Sequence, residues 1–129
     1  MADKELQLSL SKLSNAIIRL REGAARAHDD LEKDGVIQRF EFTYELAWKT
    51  LKIFLTKEGI NCKSPRECFK QAFKMGMITE EKIFLSMLED RNAMSHIYSE
   101  TLSSEIYVRI KENYVDAIEN ILNKIQNDV

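Results

Sequence analysis

Leu6, Leu10, Leu13, Ile17, Leu20, Ala24, Ala27 and Leu31 follow one another in alternating steps of four and three. Residues so spaced line one side of an α-helix, because each residue turns the chain by about 100°. The seam commits the chain from about Lys4 to about Leu31 to one long amphipathic helix. Such a helix serves either the core of a bundle or a helix pair shared between subunits. Only one proline and four glycines interrupt the 129 residues. A many-turned β fold needs far more, so the sequence predicts a few long helices with short connections. A chain of this length is expected to form one compact domain over 1–129.

The remaining periodicity completes an all-α, five-helix up-and-down bundle. Asp34-Gly35 reads as a turn, and a second helix follows from about Val36 to Glu58, with Gly59 as its stop. On that helix Phe40, Tyr44, Ala47, Trp48, Leu51, Phe54 and Leu55 share one broad face, and Phe42, Leu46 and Ile53 form a second apolar strip. A polar arc containing Glu41, Glu45, Lys49, Lys52 and Thr56 divides them. A helix apolar on two sides is central or is covered by a partner. Ser64-Pro65-Arg66-Glu67 marks a third helix, with Ser as cap, Pro in the first turn and Glu placed for a capping box. It ends at Gly76. A fourth helix follows a Thr79 cap and runs through "RNAMSHIY". The fifth starts at Ser103 or Ser104 and carries Tyr107, Ile110, Tyr114, Ala117, Ile118, Ile121 and Ile125 on one face.

Composition narrows the classes of partner. The net charge is −2, so any nucleic-acid contact must use a local patch. The best one surrounds the third helix, where Lys63, Arg66, Lys70 and Lys74 outweigh Glu67. A solvated face accounts for that patch equally well. Cys62 and Cys68 form no C-x-x-C pair and have no nearby His, so two free thiols are expected and no structural zinc. The N-terminus lacks a signal peptide's basic start and apolar run, and no apolar stretch approaches the roughly 20 residues of a membrane span. A cytoplasmic protein with no membrane association is expected.

The fourth helix changes character along its length. With Arg91 as origin, Tyr98, Ser95, Asn92 and His96 fall within one arc of about 160° on a helical wheel. The same sector holds Phe84, Leu88 and Met87 one or two turns earlier. A core-facing sector takes Arg, Asn and His only when they pair with one another or with neighbours, or when they line a cleft. Two readings stand side by side. In one, Arg91 bridges to a carboxylate and His96 to a backbone carbonyl in a structural network. In the other, the residues form a cleft for an anion. Arginine presents a planar, permanently charged fork to phosphate. Histidine moves protons near neutral pH. Tyrosine stacks on a base or donates its hydroxyl. This set suits phosphodiester chemistry without a metal, and it suits nucleotide binding without chemistry. No cofactor is expected.

The run Arg91-Asn92-(three residues)-His96-Ile97-Tyr98 resembles the R-N-x-x-x-H signature of HEPN domains (higher eukaryotes and prokaryotes nucleotide-binding). It also fits the R-x-x-x-x-H-x-Y form of HEPN toxins paired with a minimal nucleotidyltransferase. "RFEFTYELAWKTLK" at 39–52 resembles the second-helix hallmark of the nucleotidyltransferase substrate-binding-protein branch. The resemblance covers essentially the whole chain. It implies a helical bundle that forms a homodimer or higher assembly, with two motifs approaching across a cleft. It implies a minimal nucleotidyltransferase as partner, and RNA or a nucleotide as ligand. By this analogy Arg91 and His96 are catalytic in metal-independent RNA cleavage. Arg91 holds the scissile phosphate, and His96 assists attack by the 2′-hydroxyl or protonates the leaving group. Asn92, Ser95 and Tyr98 contact substrate, and Tyr98 is the residue that the partner modifies with AMP. The branch is named for presenting substrate to the nucleotidyltransferase, so a non-catalytic nucleotide- or substrate-binding subunit is the second expectation. A plain interaction bundle, its dimer fixed by the polar motif, is the third.

Glu45 and Lys49, four residues apart, form a helix ion pair within the hallmark stretch. With Trp48 they are candidates for a partner or dimer interface.

Overall fold

The computed structural model describes residues 3–94 and 100–128. Among them are five helices and no strand. The helix α1 spans Lys4–Arg26, α2 Asp30–Lys57, α3 Pro65–Lys74 and α4 Glu81–Ala93. The last, α5, is α-helical over Glu100–Arg109, opens into a π-helical turn over Ile110–Tyr114, and is α-helical again over Val115–Asp128. None of the described helices is long and apolar enough to cross a membrane.

The first two helices pack along their whole length, and α5 lies against both. Close approach is possible because small residues meet there. The Thr43 hydroxyl, buried opposite Ala16, donates to the Arg39 carbonyl at 2.7 Å. Ser9 and Thr50 share a hydrogen bond at 2.5 Å. Arg39 spans from α2 to donate to the Arg19 carbonyl of α1 at 2.7 Å. The seam of α1 is buried from Leu6 to Ala24, as its spacing requires.

Chain turns follow local hydrogen bonding where it competes with the seam. α1 stops at Arg26, earlier than the apolar spacing suggests, and Asp29 caps α2. The Asp29 carboxylate accepts from the Glu32 N–H at 2.8 Å, and the Glu32 carboxylate accepts from the Asp29 N–H at 3.3 Å. This capping box satisfies helix-end donors that a turn at Asp34-Gly35 would leave open. Asp34 and Gly35 therefore lie inside α2, and Leu31 is 81% exposed rather than part of the seam. Gly59, at φ +83°, closes α2 where the sequence indicates. Ser64 and Pro65 start α3 as expected, although the Glu67 carboxylate accepts from the Lys63 N–H rather than from that of Ser64. Glu80 takes the N-cap position of α4 in place of Thr79, without a side-chain cap bond. α5 is already helical at Glu100, ahead of Ser103.

Cys62 and Cys68 are joined in a disulfide, which corrects the expectation of two free thiols. The Ser64-Pro65 helix start folds the approaching chain back on the first turn of α3, bringing the two Cα atoms to 5.2 Å. Both cysteines are fully buried.

Aromatic rings tie the other helices to α2. Phe40 stacks on Tyr114 of α5, with centroids 5.4 Å apart. Tyr44 meets the edge of Phe69 of α3 at 6.0 Å, and Phe69 meets Phe84 of α4 at 5.0 Å. Each such pair contributes about 1 kcal/mol beyond the area it buries.

One polar cluster sits within this core. Asp90, near the end of α4, is buried. Arg109 donates to it through two nitrogens, at 2.8 and 2.9 Å, and Tyr114 donates its hydroxyl to the same carboxylate. Ser86 closes the network 2.6 Å from the Tyr114 hydroxyl. The π-helical turn begins immediately after Arg109 and ends on Tyr114, and its extra residue turns both side chains toward α4. Burial, with the bond to Asp90 adding to it, pushes the Tyr114 phenol up to about 12.

Asp90 is the buried member of the pair, while the Arg109 side chain is 34% exposed and can be met by water once the acid is gone. Asp90→Ala should therefore cost about 2 kcal/mol in urea unfolding; a loss below ~0.5 kcal/mol would show that the clamp does not hold α4. The folded Tyr114 phenol keeps its proton to higher pH than the unfolded one. Its contribution is present below pH 10 and is lost as pH rises through about 12. Between those values the parent chain should lose stability more steeply than Tyr114→Phe. Parallel slopes would contradict the assignment.

Candidate functional site

The two motif stretches meet in space. A terminal nitrogen of Arg91, at the end of α4, lies 3.2 Å from one carboxylate oxygen of Glu45 on α2. The other oxygen accepts from the Trp48 indole at 3.1 Å and lies 3.8 Å from the Lys49 ammonium. The helical spacing of three and four residues sets Trp48 and Lys49 beside Glu45. Trp48 packs partly buried against the core, so its ring props the carboxylate that faces Arg91. The anticipated Glu45–Lys49 pair is present, and it belongs to a larger cluster.

Arg91 and Glu45 each have side chains 34% exposed. An ion pair at such a rim contributes under about 1 kcal/mol, less than the Asp90 clamp. Its consequence is geometric. Asp90 and Arg91 are consecutive, so the Asp90 clamp holds the helix end while Glu45 aims the guanidinium. Glu45 engages one nitrogen of a group with five donors, and the Arg91 side chain is about one-third exposed. Arg91 and Lys49 against Glu45 give +2 − 1 = +1 at the site. The arrangement fits a phosphate, which an arginine fork grips through two oxygens.

Below the pair lies Tyr44, buried and bearing the one buried side-chain polar atom without a hydrogen-bond partner among the described residues, its hydroxyl. Burial, helped by the Glu45 carboxylate, pushes its phenol above the ordinary range, while the charges of Arg91 and Arg66 pull it down. Arginines from two separate helices thus act on one hydroxyl.

Of the residues singled out in the sequence, Arg91, Glu45, Trp48 and Lys49 come together, and Asn92 is exposed beside them. Ser95, His96 and Tyr98 lie outside the described residues. The reading of the sequence missed Asp90 and Tyr44 as parts of the site. A signal for Asp90 was available: on the helical wheel it falls among Ile83, Met87 and Met94, and a carboxylate in an apolar sector must be paired. Tyr44 carried none, because it reads as an ordinary core aromatic.

A family model described as "Nucleotidyltransferase substrate binding protein like" matches residues 5–127. A protein of Haemophilus influenzae named "Probable ribonuclease HepT" is 27% identical over 88 residues, which cover 64% of this chain and 60% of that relative's length. A crystal structure of a Thermus thermophilus protein superimposes with a TM-score of 0.82 at 32% identity, covering 88% of this chain and 98% of that one. A second structure, from Haemophilus influenzae and described as revealing the fold of a substrate binding domain of a nucleotidyltransferase, superimposes with a TM-score of 0.69. At 22% identity over 94% of this chain and 96% of the other, it shows the shared fold. With nearly its whole length matched, the chain belongs to the nucleotidyltransferase substrate-binding-protein-like family, within the wider HEPN group.

Proposed function

We propose that this chain is the HEPN-type partner subunit of a minimal nucleotidyltransferase and the RNA-cleaving toxin of the pair. The observation that carries the reading is the Arg91 guanidinium, held at one nitrogen by Glu45 at 3.2 Å and about one-third exposed, with donors to spare for a phosphate. The relative named as a ribonuclease and the neighbour described as a substrate-binding domain support it. The chain acts as one domain over 1–129, in the cytoplasm, as a homodimer in which two motifs face one cleft.

In this scheme Arg91 grips the scissile phosphate and neutralises the charge that builds on it. The 2′-oxygen bonds to phosphorus as the bond to the 5′-oxygen breaks, giving a 2′,3′-cyclic phosphate and a 5′-hydroxyl. His96 takes the proton from the 2′-hydroxyl or supplies one to the leaving oxygen. The nucleophile is part of the substrate, so the reaction needs no metal-bound water. Asn92, Ser95 and Tyr98 contact the RNA. AMP added to Tyr98 by the partner places bulk and negative charge in the cleft and blocks it.

The second reading is a non-catalytic subunit that binds a nucleotide and presents substrate to the nucleotidyltransferase. The same Arg91–Glu45 pair favours it, because a guanidinium gripping phosphate binds without needing a proton donor.

Expression in bacteria separates the two. The toxin should arrest growth, and Arg91→Ala and His96→Ala should each relieve the arrest. Co-expression with a partner minimal nucleotidyltransferase should add AMP units at Tyr98, read by intact mass and peptide mapping. Tolerated expression, with no mass gain and a stable complex that loses bound nucleotide on Arg91→Ala, would favour the presenting subunit.

A further inference from the structure

The charge of the chain is unevenly spread. Lys63, Arg66, Lys70 and Lys74 against Glu67 give +4 − 1 = +3 at α3, so the rest of the chain carries −2 − 3 = −5. α3 buries Cys68, Phe69 and Ala72. At 100° per residue its other side presents Phe73, Arg66, Lys70 and Lys74 within an arc of about 100°. All four are exposed, Phe73 to 42%. The three cations have no ion-pair partner among the described residues. Glu67 makes no ion pair with them; its carboxylate accepts from the Lys63 N–H at 3.0 Å.

The Arg66 end of this face is the end nearer the site. Phe69, one turn beyond Arg66 on the buried side of α3, rests on Tyr44, which neighbours Glu45 on α2. From Arg66 the cations run about 12 Å along the helix axis. Cations spaced along a line, with an aromatic ring between them, match a single nucleic-acid strand. Phosphates pair with the charges, and a base stacks on the ring whatever its identity. An acidic protein surface would use the charges but has no need of an exposed ring among them.

We propose that the exposed face of α3, formed by Arg66, Lys70, Phe73 and Lys74, is a binding track for single-stranded RNA that leads to Arg91. The proposal rests on the RNA-directed reading of the Arg91 site and adds to it the path by which substrate lies.

The test is a fluorescence titration of the full chain with a mixed-sequence 2′-O-methyl oligoribonucleotide, which cannot be cut through its 2′-oxygen, over a range of salt. Lys70→Ala/Lys74→Ala should lower the slope of log K against log salt by roughly 1.4, about 0.7 for each lost phosphate contact. Phe73→Ala should weaken binding about tenfold at every salt concentration, leaving the slope unchanged. These positions are exposed, so circular dichroism should be unaltered in all variants. If Arg91→Ala weakens binding while the α3 variants match the parent in affinity and slope, the track is overturned and the reading of Arg91 stands. If the parent chain does not bind the oligonucleotide, both fall together.

Discussion

Asp90 is the constraint on which the arrangement of this bundle depends. A carboxylate in a core is tolerated only when its charge is met. Here Arg109 and Tyr114 meet it from a single helix, and Ser86 completes the network. Strict α-helical geometry along α5 would not turn both Arg109 and Tyr114 toward α4, and the π-helical turn between them supplies the extra residue. The clamp therefore joins three features: the irregular helix, the buried acid, and the fixed end of α4 that bears Arg91. The firmer interaction lies one residue from Arg91. That separation lets the Arg91–Glu45 pair be weak, as the proposed grip on a phosphate requires.

Much of this was legible in the sequence, for identifiable reasons. The seams of α1 and α5 are periodic over many turns, and their buried residues follow the spacing. Gly59, Ser64 and Pro65 mark helix ends through backbone requirements that no neighbour can override. The junction between α1 and α2 was misread because apolar periodicity continues to Leu31, while the Asp29–Glu32 capping box breaks the helix earlier. Apolar spacing measures what can be buried, and a cap determines where the chain turns.

The site divides in the same way. Arg91 and Asn92 stood out because polar side chains enter a sector that is apolar a turn earlier. The Glu45–Lys49 pair was visible from its spacing. That Glu45 reaches across to Arg91 was not, since nothing in either helix alone specifies its partner. The disulfide was missed for a related reason. Cysteines six apart outside any metal-binding spacing look independent until the turn before α3 folds one over the other. The basic residues of α3 were visible as a patch. Their placement on one exposed face with Phe73 follows from the register that buries Cys68, Phe69 and Ala72.

In the proposed function Arg91, aimed by Glu45, works with His96 to cut RNA through the substrate's own 2′-hydroxyl. Analysis of the products from purified chain, RNA and an excess of EDTA tests it most directly. Cleavage by this route gives fragments ending in 2′,3′-cyclic phosphate, formed by the parent chain and absent with Arg91→Ala or His96→Ala. Intact RNA under those conditions, or fragments formed equally by the parent and by Arg91→Ala, would contradict it.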